Sequence, residues 1–308
     1  LDLTTAGAKP KVIMAGEDSR ESGDRSVDGH RWVGNDFVVV SISMFEDLGG
    51  GPGSFTRLVS YDLKTGKFTQ LAWDGAGSGA SDIQQINHDK AELILERSIV
   101  RTSNERLDNP QVVKVDVKTG KYSVVQNQNP EVRSWFVDGE GVVRAGGIYN
   151  GDTGKQRVLY RSTPKDNLVT VMNEVQEFTG GSPEPQLFLP GTDIAYATSR
   201  KDGFTKVYKL NMKTMELSEP VYQTPNFDID GIRRNKDLTD IDGYVTFDGT
   251  YRDVWINPLH QEIVATAEGL FGKGQVEIVD VARNESKAII SVGGIKKNTG
   301  FYLFDLKT

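Results

Sequence analysis

Apolar residues in this chain come in short runs, and none keeps a helical period. FVVVSIS (37–43), AELILE (91–96), VVRAGGIY (142–149), IAYATS (194–199), YVTFDG (244–249) and AIISVGG (288–294) each read as a strand of five to eight residues bounded by polar or Gly-containing turns. Shorter apolar segments precede them: RWV (31–33), IQQIN (83–87), RSWFV (133–137), PQLFL (185–189) and VEIVDV (276–281). No sustained 3.6-residue period is evident, so helices are expected to be nearly absent.

After most long runs comes a third strand that ends in a stereotyped turn. VSYDLKTGKFTQLAW and VVKVDVKTGKYSVVQ carry the same Asp-x-Lys-Thr-Gly reversal at Asp62 and Asp116, where Gly accepts the positive φ of a tight hairpin. Degraded copies place Arg161, Asn211, Asn257 and Asp305 in register, and LDLTTAGAKPKVIM places Asp2 there. The gaps between successive markers are 60, 54, 45, 50, 46 and 48 residues. Three or four short strands per unit of about 45 residues is the pattern of propeller blades. The expectation is an all-β, seven-bladed β-propeller with blades of about four antiparallel strands, spanning 1–308 as a single domain. The chain opens within a hairpin and closes on a third strand. That predicts a domain cut from something longer at both ends, with Leu1–Gly16 pairing against the strands that end at Thr308.

Composition narrows the function classes. The chain has 37% hydrophobic and 26% charged residues with 33 glycines, as suits a soluble, turn-rich globular protein, and it leaves the compartment open. A net charge of −7 argues against nucleic-acid partners. No stretch reaches the roughly 18 apolar residues of a membrane span. Cysteine is absent, which removes disulfides, thiolate catalysis and thiolate metal sites.

Three stretches carry a family resemblance: VEIVDVARNESKAIISVGGIKKNTGFYLFDLKT (276–308), WFVDGEGVVRAGGIYNGDTGKQRVLYR (135–161), and KPKVIMAGE with HRWVGNDFVVVSIS (within 9–43). The first resembles the last propeller blade of prolyl oligopeptidase-family serine peptidases, the second a middle blade and the third the early blades. The resemblance implies a non-catalytic propeller that gates and positions peptide substrates for an α/β-hydrolase domain absent from this chain. The nucleophile elbow Gly-x-Ser-x-Gly of such a domain does not occur; GPGSF (51–55) and GAGSG (75–79) lack Gly two residues before Ser54 and Ser78. No catalytic residue is assigned. A free-standing, kelch-like interaction propeller is the alternative, supported by AGGIY (145–149) and the Tyr61-Asp62 hairpin. A propeller enzyme with a channel metal comes third.

Other candidates are weaker. His30, His88 and His260 are scattered and read as rim or surface groups, His30 before a strand and His260 in a hairpin turn. The acidic run FDIDGIRRNKDLTDIDGY (227–244) lacks the closing Glu of a calcium loop and reads as an inter-strand loop. No metal or cofactor is expected. Trp32, Trp73, Trp135 and Trp255 are assigned to strands in the core. The loops joining second and third strands, at 44–57, 101–110, 149–157, 200–206 and 249–253, concentrate Gly and Arg. They share a face with the inter-blade crossovers, and function concentrates on such loops. Arg101, Arg106, Arg157, Arg200 and Arg252 are therefore the expected contacts for a peptide carboxylate or an acidic partner group.

Overall fold

The computed structural model describes residues 9–16, 23–47, 52–99, 109–175, 183–274, 276–294 and 297–307. The chain divides into two compact units, Leu1–Val175 and Gln176–Thr308.

In the first unit each sheet is a four-stranded antiparallel meander in chain order. Blade 1 holds β1 (Arg25–Val33), β2 (Phe37–Asp47), β3 (Pro52–Asp62) and β4 (Phe68–Leu71). Blade 2 holds β5 (Asp82–Asn87), β6 (Glu92–Ser98), β7 (Pro110–Asp116) and β8 (Tyr122–Gln126). Blade 3 holds β9 (Ser134–Val137), β10 (Val143–Asn150), β11 (Lys155–Tyr160) and β12 (Val169–Val175). Their second strands are near-continuous apolar runs because both faces are covered. Leu93 and Leu95 pack toward Phe37, Val39 and Leu58 of blade 1, while Ile94 between them packs with Val132, Trp135 and Val143 at blade 3. Each such side chain contributes roughly 1.5–3 kcal/mol on burial. The outer face of blade 1, Val38, Val40, Ile42 and Val59, is covered by Ile13, Met14 and Trp73.

In the second unit, blade 4 holds β13 (Glu184–Phe188), β14 (Ile194–Ser199), β15 (Lys206–Asn211) and β16 (Glu216–Leu217). Blade 5 has three strands, β17 (Ile229–Arg234), β18 (Ile241–Phe247) and β19 (Tyr251–Trp255). Blade 6 likewise has β20 (Val276–Val281), β21 (Lys287–Gly294) and β22 (Lys297–Asp305). Between them lies a helix, α1 (Pro258–Phe271).

The architecture is all-β with blades of about four strands, but the described residues form six blades, not seven. A marker counts a hairpin, not a sheet. Asp62, Asp116, Asn211 and Asp305 end the third strands of their sheets, and Arg161 and Asn257 follow the third strands of theirs, whereas Asp2 lies outside the described residues and adds none among them. Residues 9–16 form no strand. Instead Lys11 Nζ donates to the Tyr61 hydroxyl at 3.1 Å, and Ile13 and Met14 pack on blade 1.

The second correction is α1. The expected hairpin at Asn257 is a helix start, because the Asn257 side chain accepts from Leu259 N at 2.9 Å and Pro258 occupies the first turn. Leu259, Ile263, Ala267 and Phe271 recur at i+4 and close over Ala288, Ile290 and Val292 of blade 6. The expected loop at 44–57 is mostly strand, since β2 and β3 pair from Asp47–Pro52 back to Phe37–Asp62. The acidic stretch is likewise β17 and β18 around a short turn.

Candidate functional site

The Asp-x-Lys-Thr-Gly turns are closed by their own polar groups. Asp62 Oδ1 accepts from Lys64 N and Thr65 N at 2.8 and 3.1 Å, and Asp116 Oδ1 accepts from Lys118 N and Thr119 N at 2.8 and 2.9 Å. Gly66 and Gly120 take φ of 70° and 72°. With these turn N–H groups taken up by their own Asp, the hairpin backbone offers little to a ligand.

The opposite end of the first unit's blades is different. A cavity of about 160 Å³ is lined by Thr56, Gly79, Ser81, Asp82, Glu96, Arg97, Ser98, Pro110 and Arg133. Every one of these residues lies near the junction of a second and third strand or on a crossover between blades. Thr56 is near the start of β3, residues 96–98 end β6, and Pro110 begins β7; Gly79, Ser81 and Arg133 belong to the crossovers, and Asp82 begins β5 directly after one.

Two charged side chains set its chemistry. Trp135 N donates to Glu96 Oε2 at 2.7 Å, and Asp82 faces Glu96 across the β5–β6 ladder. Burial pushes the Glu96 carboxyl up to about 7; the Trp135 hydrogen bond opposes this and the Asp82 charge adds to it. Arg97 is 3% exposed. Its Nη1 donates to the Ala72 and Asp74 carbonyls at 2.5 and 2.8 Å, its Nη2 to Gln111 Oε1 at 3.3 Å, and its guanidinium stacks 4.2 Å from the Tyr122 ring centre. Its Nε is buried without a hydrogen-bond partner. Arg57 Nη1 and Nη2 donate to the carbonyls of Thr56, Gly77 and Ala76, pinning the same crossover, and burial lowers its pKa, with the Arg97 charge adding to the effect. Arg133 Nη1 reaches Asn109 Oδ1 at 2.9 Å.

The predicted arginines are elsewhere. Arg101 and Arg106 lie outside the described residues. Arg157, on β11 of the first unit, pairs with Glu131. In the second unit Arg200 stands 3.5 Å from Asp228, and Arg252 Nε donates to Asp248 at 2.8 Å. Each of these three already holds a carboxylate of its own chain, and none lines the cavity. Glu96, Arg97, Asp82 and Arg133 were missed, although Glu-Arg-Ser closing the apolar run AELIL was a visible signal: charges within a fully buried strand need a reason.

The histidines do not converge. His30 lies within β1, not before it, and is exposed. His88 Nδ1 accepts from Gly34 N at 3.2 Å. His260, on α1, stacks on Trp255 with ring centres 4.5 Å apart, and its buried Nδ1 stands 3.7 Å from Asp242 without a hydrogen bond. Among the described residues no cluster of three metal-ligating side chains forms. Of the tryptophans only Trp135 is fully buried; Trp32 is 44% exposed, and Trp73 follows β4 and donates to the Leu58 carbonyl at 2.7 Å.

No protein-family model matches the sequence, and no curated protein does. Solved structures match in fold. Prolyl oligopeptidase B from Galerina marginata aligns with a TM-score of 0.50 and 11% identity over 92% of this chain. Acylaminoacyl peptidase aligns at 0.46 and 13% over 91% of this chain and 45% of its own length, and the propeller domain of the Trilobed protease from Pyrococcus furiosus at 0.36 and 10% over 91% and 93%. This chain spans 40% of the prolyl oligopeptidase B chain. Blade series and fold likeness agree: the architecture is that of a β-propeller, similar to the propeller-bearing peptidases.

Proposed function

We propose that this chain is a non-catalytic propeller module that positions and gates peptides for an α/β-hydrolase domain of prolyl oligopeptidase type. The observation that carries this reading is the origin of the cavity's lining. Strand-two-to-three junctions and crossovers supply all of it, on the face opposite the self-satisfied hairpins. The similar prolyl oligopeptidase B chain carries a bound 35-mer substrate, which fits a peptide as the ligand class. Arg101, Arg106, Arg157, Arg200 and Arg252 remain proposed contacts for acidic groups; at Arg157, Arg200 and Arg252 an incoming carboxylate would exchange for Glu131, Asp228 or Asp248.

Fluorescence anisotropy of labelled acidic peptides with the pure chain tests the choice of face. Arg133→Ala and Arg157→Ala are each expected to weaken binding by roughly tenfold, the equivalent of about 1.4 kcal/mol. Lys64→Ala and Lys118→Ala, on the hairpins, should leave it unchanged. The reverse pattern would assign binding to the hairpin side and favour a free-standing interaction propeller.

A further inference from the structure

We propose that Asn150 is a self-modification site, at which the folded chain slowly converts a neutral turn of blade 3 into an acidic one. The reaction is deamidation through a cyclic imide formed with Gly151, and its only co-reactant is water.

Asn150 ends β10, Lys155 begins β11, and the residues between them reverse the chain. YNGDTGK (149–155) repeats the polar frame of YDLKTGK (61–67), with Asn in the place of Asp. The geometry repeats as well. Asn150 Oδ1 accepts from Asp152 N and Thr153 N at 3.0 and 3.1 Å, as Asp62 Oδ1 does from Lys64 N and Thr65 N, and Gly154 takes φ of 66°. Two features set this turn apart. Asn150 is the only Asn of the chain that is followed by Gly. The next N–H is also differently placed. Leu63, Val117 and Met212 donate theirs to the carbonyls of Asp36, Ala91 and Asp193 at 2.9, 3.0 and 2.8 Å, whereas the Gly151 N–H has no acceptor among the described residues.

That nitrogen is the nucleophile. It bonds to Asn150 Cγ, the Cγ–Nδ2 bond breaks, and the Gly151 amide proton leaves with Nδ2 as ammonia, closing a five-membered imide. Water then opens one of the two imide carbonyls. Cleavage at Cγ leaves aspartate in an ordinary backbone; cleavage at the main-chain carbonyl carbon leaves isoaspartate, with the chain rerouted through Cβ and Cγ. Overall, one amide and one water become one carboxylate and one ammonium. The turn assists the first step. Its two N–H groups on Oδ1 draw charge from Cγ and receive the negative charge that develops on Oδ1 as the nitrogen adds. Asn150, Gly151 and Asp152 are exposed, so water reaches the imide. The aspartate product keeps the two turn hydrogen bonds that Asp62 and Asp116 already make, and leaves the chain one unit more negative than −7. The isoaspartate product lengthens the backbone by a carbon and disturbs the Asn150–Lys155 register. None of this depends on whether a hydrolase domain is attached.

Peptide mapping by mass spectrometry tests the site on the pure full chain kept for weeks at physiological temperature, with isoaspartyl methyltransferase counting the isoaspartate. Aspartate and isoaspartate are expected to accumulate at position 150 at least about tenfold faster than at Asn211, a barrier lower by about 1.4 kcal/mol. Asn211 Oδ1 accepts from Lys213 N in the same kind of turn, but the Met212 N–H that follows it is held. A Cβ at Gly151 would meet only Tyr149 Cε1, at 3.8 Å. Gly151→Ala should therefore keep the circular dichroism of wild type while slowing the reaction about tenfold, because the methyl group hinders the approach of the nitrogen. The folded chain should also react at least as fast as the free peptide GIYNGDTGKQ. Conversion at Asn150 no faster than at Asn211, or unchanged by Gly151→Ala, would overturn the proposal. A folded chain about tenfold slower than the peptide would do the same, by showing that the turn holds nitrogen and Cγ apart. If the variant fails to fold, the comparisons with Asn211 and with the peptide decide.

Discussion

At Gly120 the backbone has φ of 72°, and a Cβ placed there would stand 2.3 Å from the Gln70 carbonyl oxygen of blade 1. Two constraints meet at this one residue: a left-handed conformation and a close approach between neighbouring blades. Gly66, in the equivalent turn, has the same φ, but the nearest atom to its Cβ position is the Tyr61 hydroxyl at 3.7 Å. Gly120→Ala is therefore expected to destabilise the protein by more than about 2 kcal/mol, since backbone must move, while Gly66→Ala costs about 1 kcal/mol for conformation alone. Asp116→Ala removes the acceptor of two turn N–H groups and should cost about 1–2 kcal/mol. Guanidinium unfolding of the three variants reads the order directly, and equal losses at Gly66 and Gly120 would show that the inter-blade contact is slack. The repeat's glycines were legible as turn formers. The inter-blade crowding at Gly120 was not, because a sequence period shows that blades exist without showing how closely one turn meets its neighbour.

Helix α1 stands where blade 5 would have had its fourth strand, and local chemistry selects it. Asn257 caps the first turn, Pro258 has no N–H to lose there, and Gly272 receives the chain at φ of 102° with its N–H on the Glu268 carbonyl. These start and stop signals were present in INPLHQEIVATAEGLFG. Register with the hairpin markers outweighed them, although Leu259, Ile263, Ala267 and Phe271 keep a helical period. Asn257→Ala should cost about 1 kcal/mol, and also loosen Asp242, whose carboxylate accepts from Asn257 Nδ2 at 2.8 Å. Ile263→Ala, at a residue 2% exposed, should cost about 2–5 kcal/mol and reduce far-UV helical signal before the strands unfold. An Ile263→Ala variant as stable as wild type would mean that the helix contributes little to blade 6. The strands themselves were far more legible: IAYATS coincides with β14, a run largely buried on both faces, and VEIVDV with β20, whose apolar residues alternate with exposed ones.

Across the whole molecule, the marker spacing revealed the blade series and the resemblance pointed to peptidase propellers, but the count of seven exceeded the six sheets of the described residues, because the seventh marker, Asp2, lies outside them. The site was half legible. Its face followed from blade topology, while its residues required knowing that β6 ends between two blades, so that Glu96 turns toward Trp135 and Arg97 toward Ala72 and Asp74. The chain as a whole is expected to bind without cleaving. With no Gly-x-Ser-x-Gly, activated peptide esters should not turn over, and labelling of Ser54 or Ser78 by a serine-reactive phosphonate with turnover would contradict this. The pH dependence of stability is shaped by two opposed groups. His260 is held below its ordinary value by burial, with Asp242 and Glu285 pulling it back up. The folded state thus binds its proton less readily than the unfolded one, and the stability it contributes is lost as pH falls below about 6.5. Glu96 works in the other direction. Its folded value near 7 lies above the unfolded 4.5, so its contribution is complete below pH 4.5 and disappears as pH rises through 7. Glu96→Gln keeps an acceptor for the Trp135 N–H and removes the ionisation. It should match wild type near pH 4.5 and exceed it at pH 8 by on the order of 3 kcal/mol, the equivalent of the cited shift. Denaturant midpoints measured at both values check this, and a constant difference between the two proteins across that range would show that Glu96 ionises without penalty in the folded state.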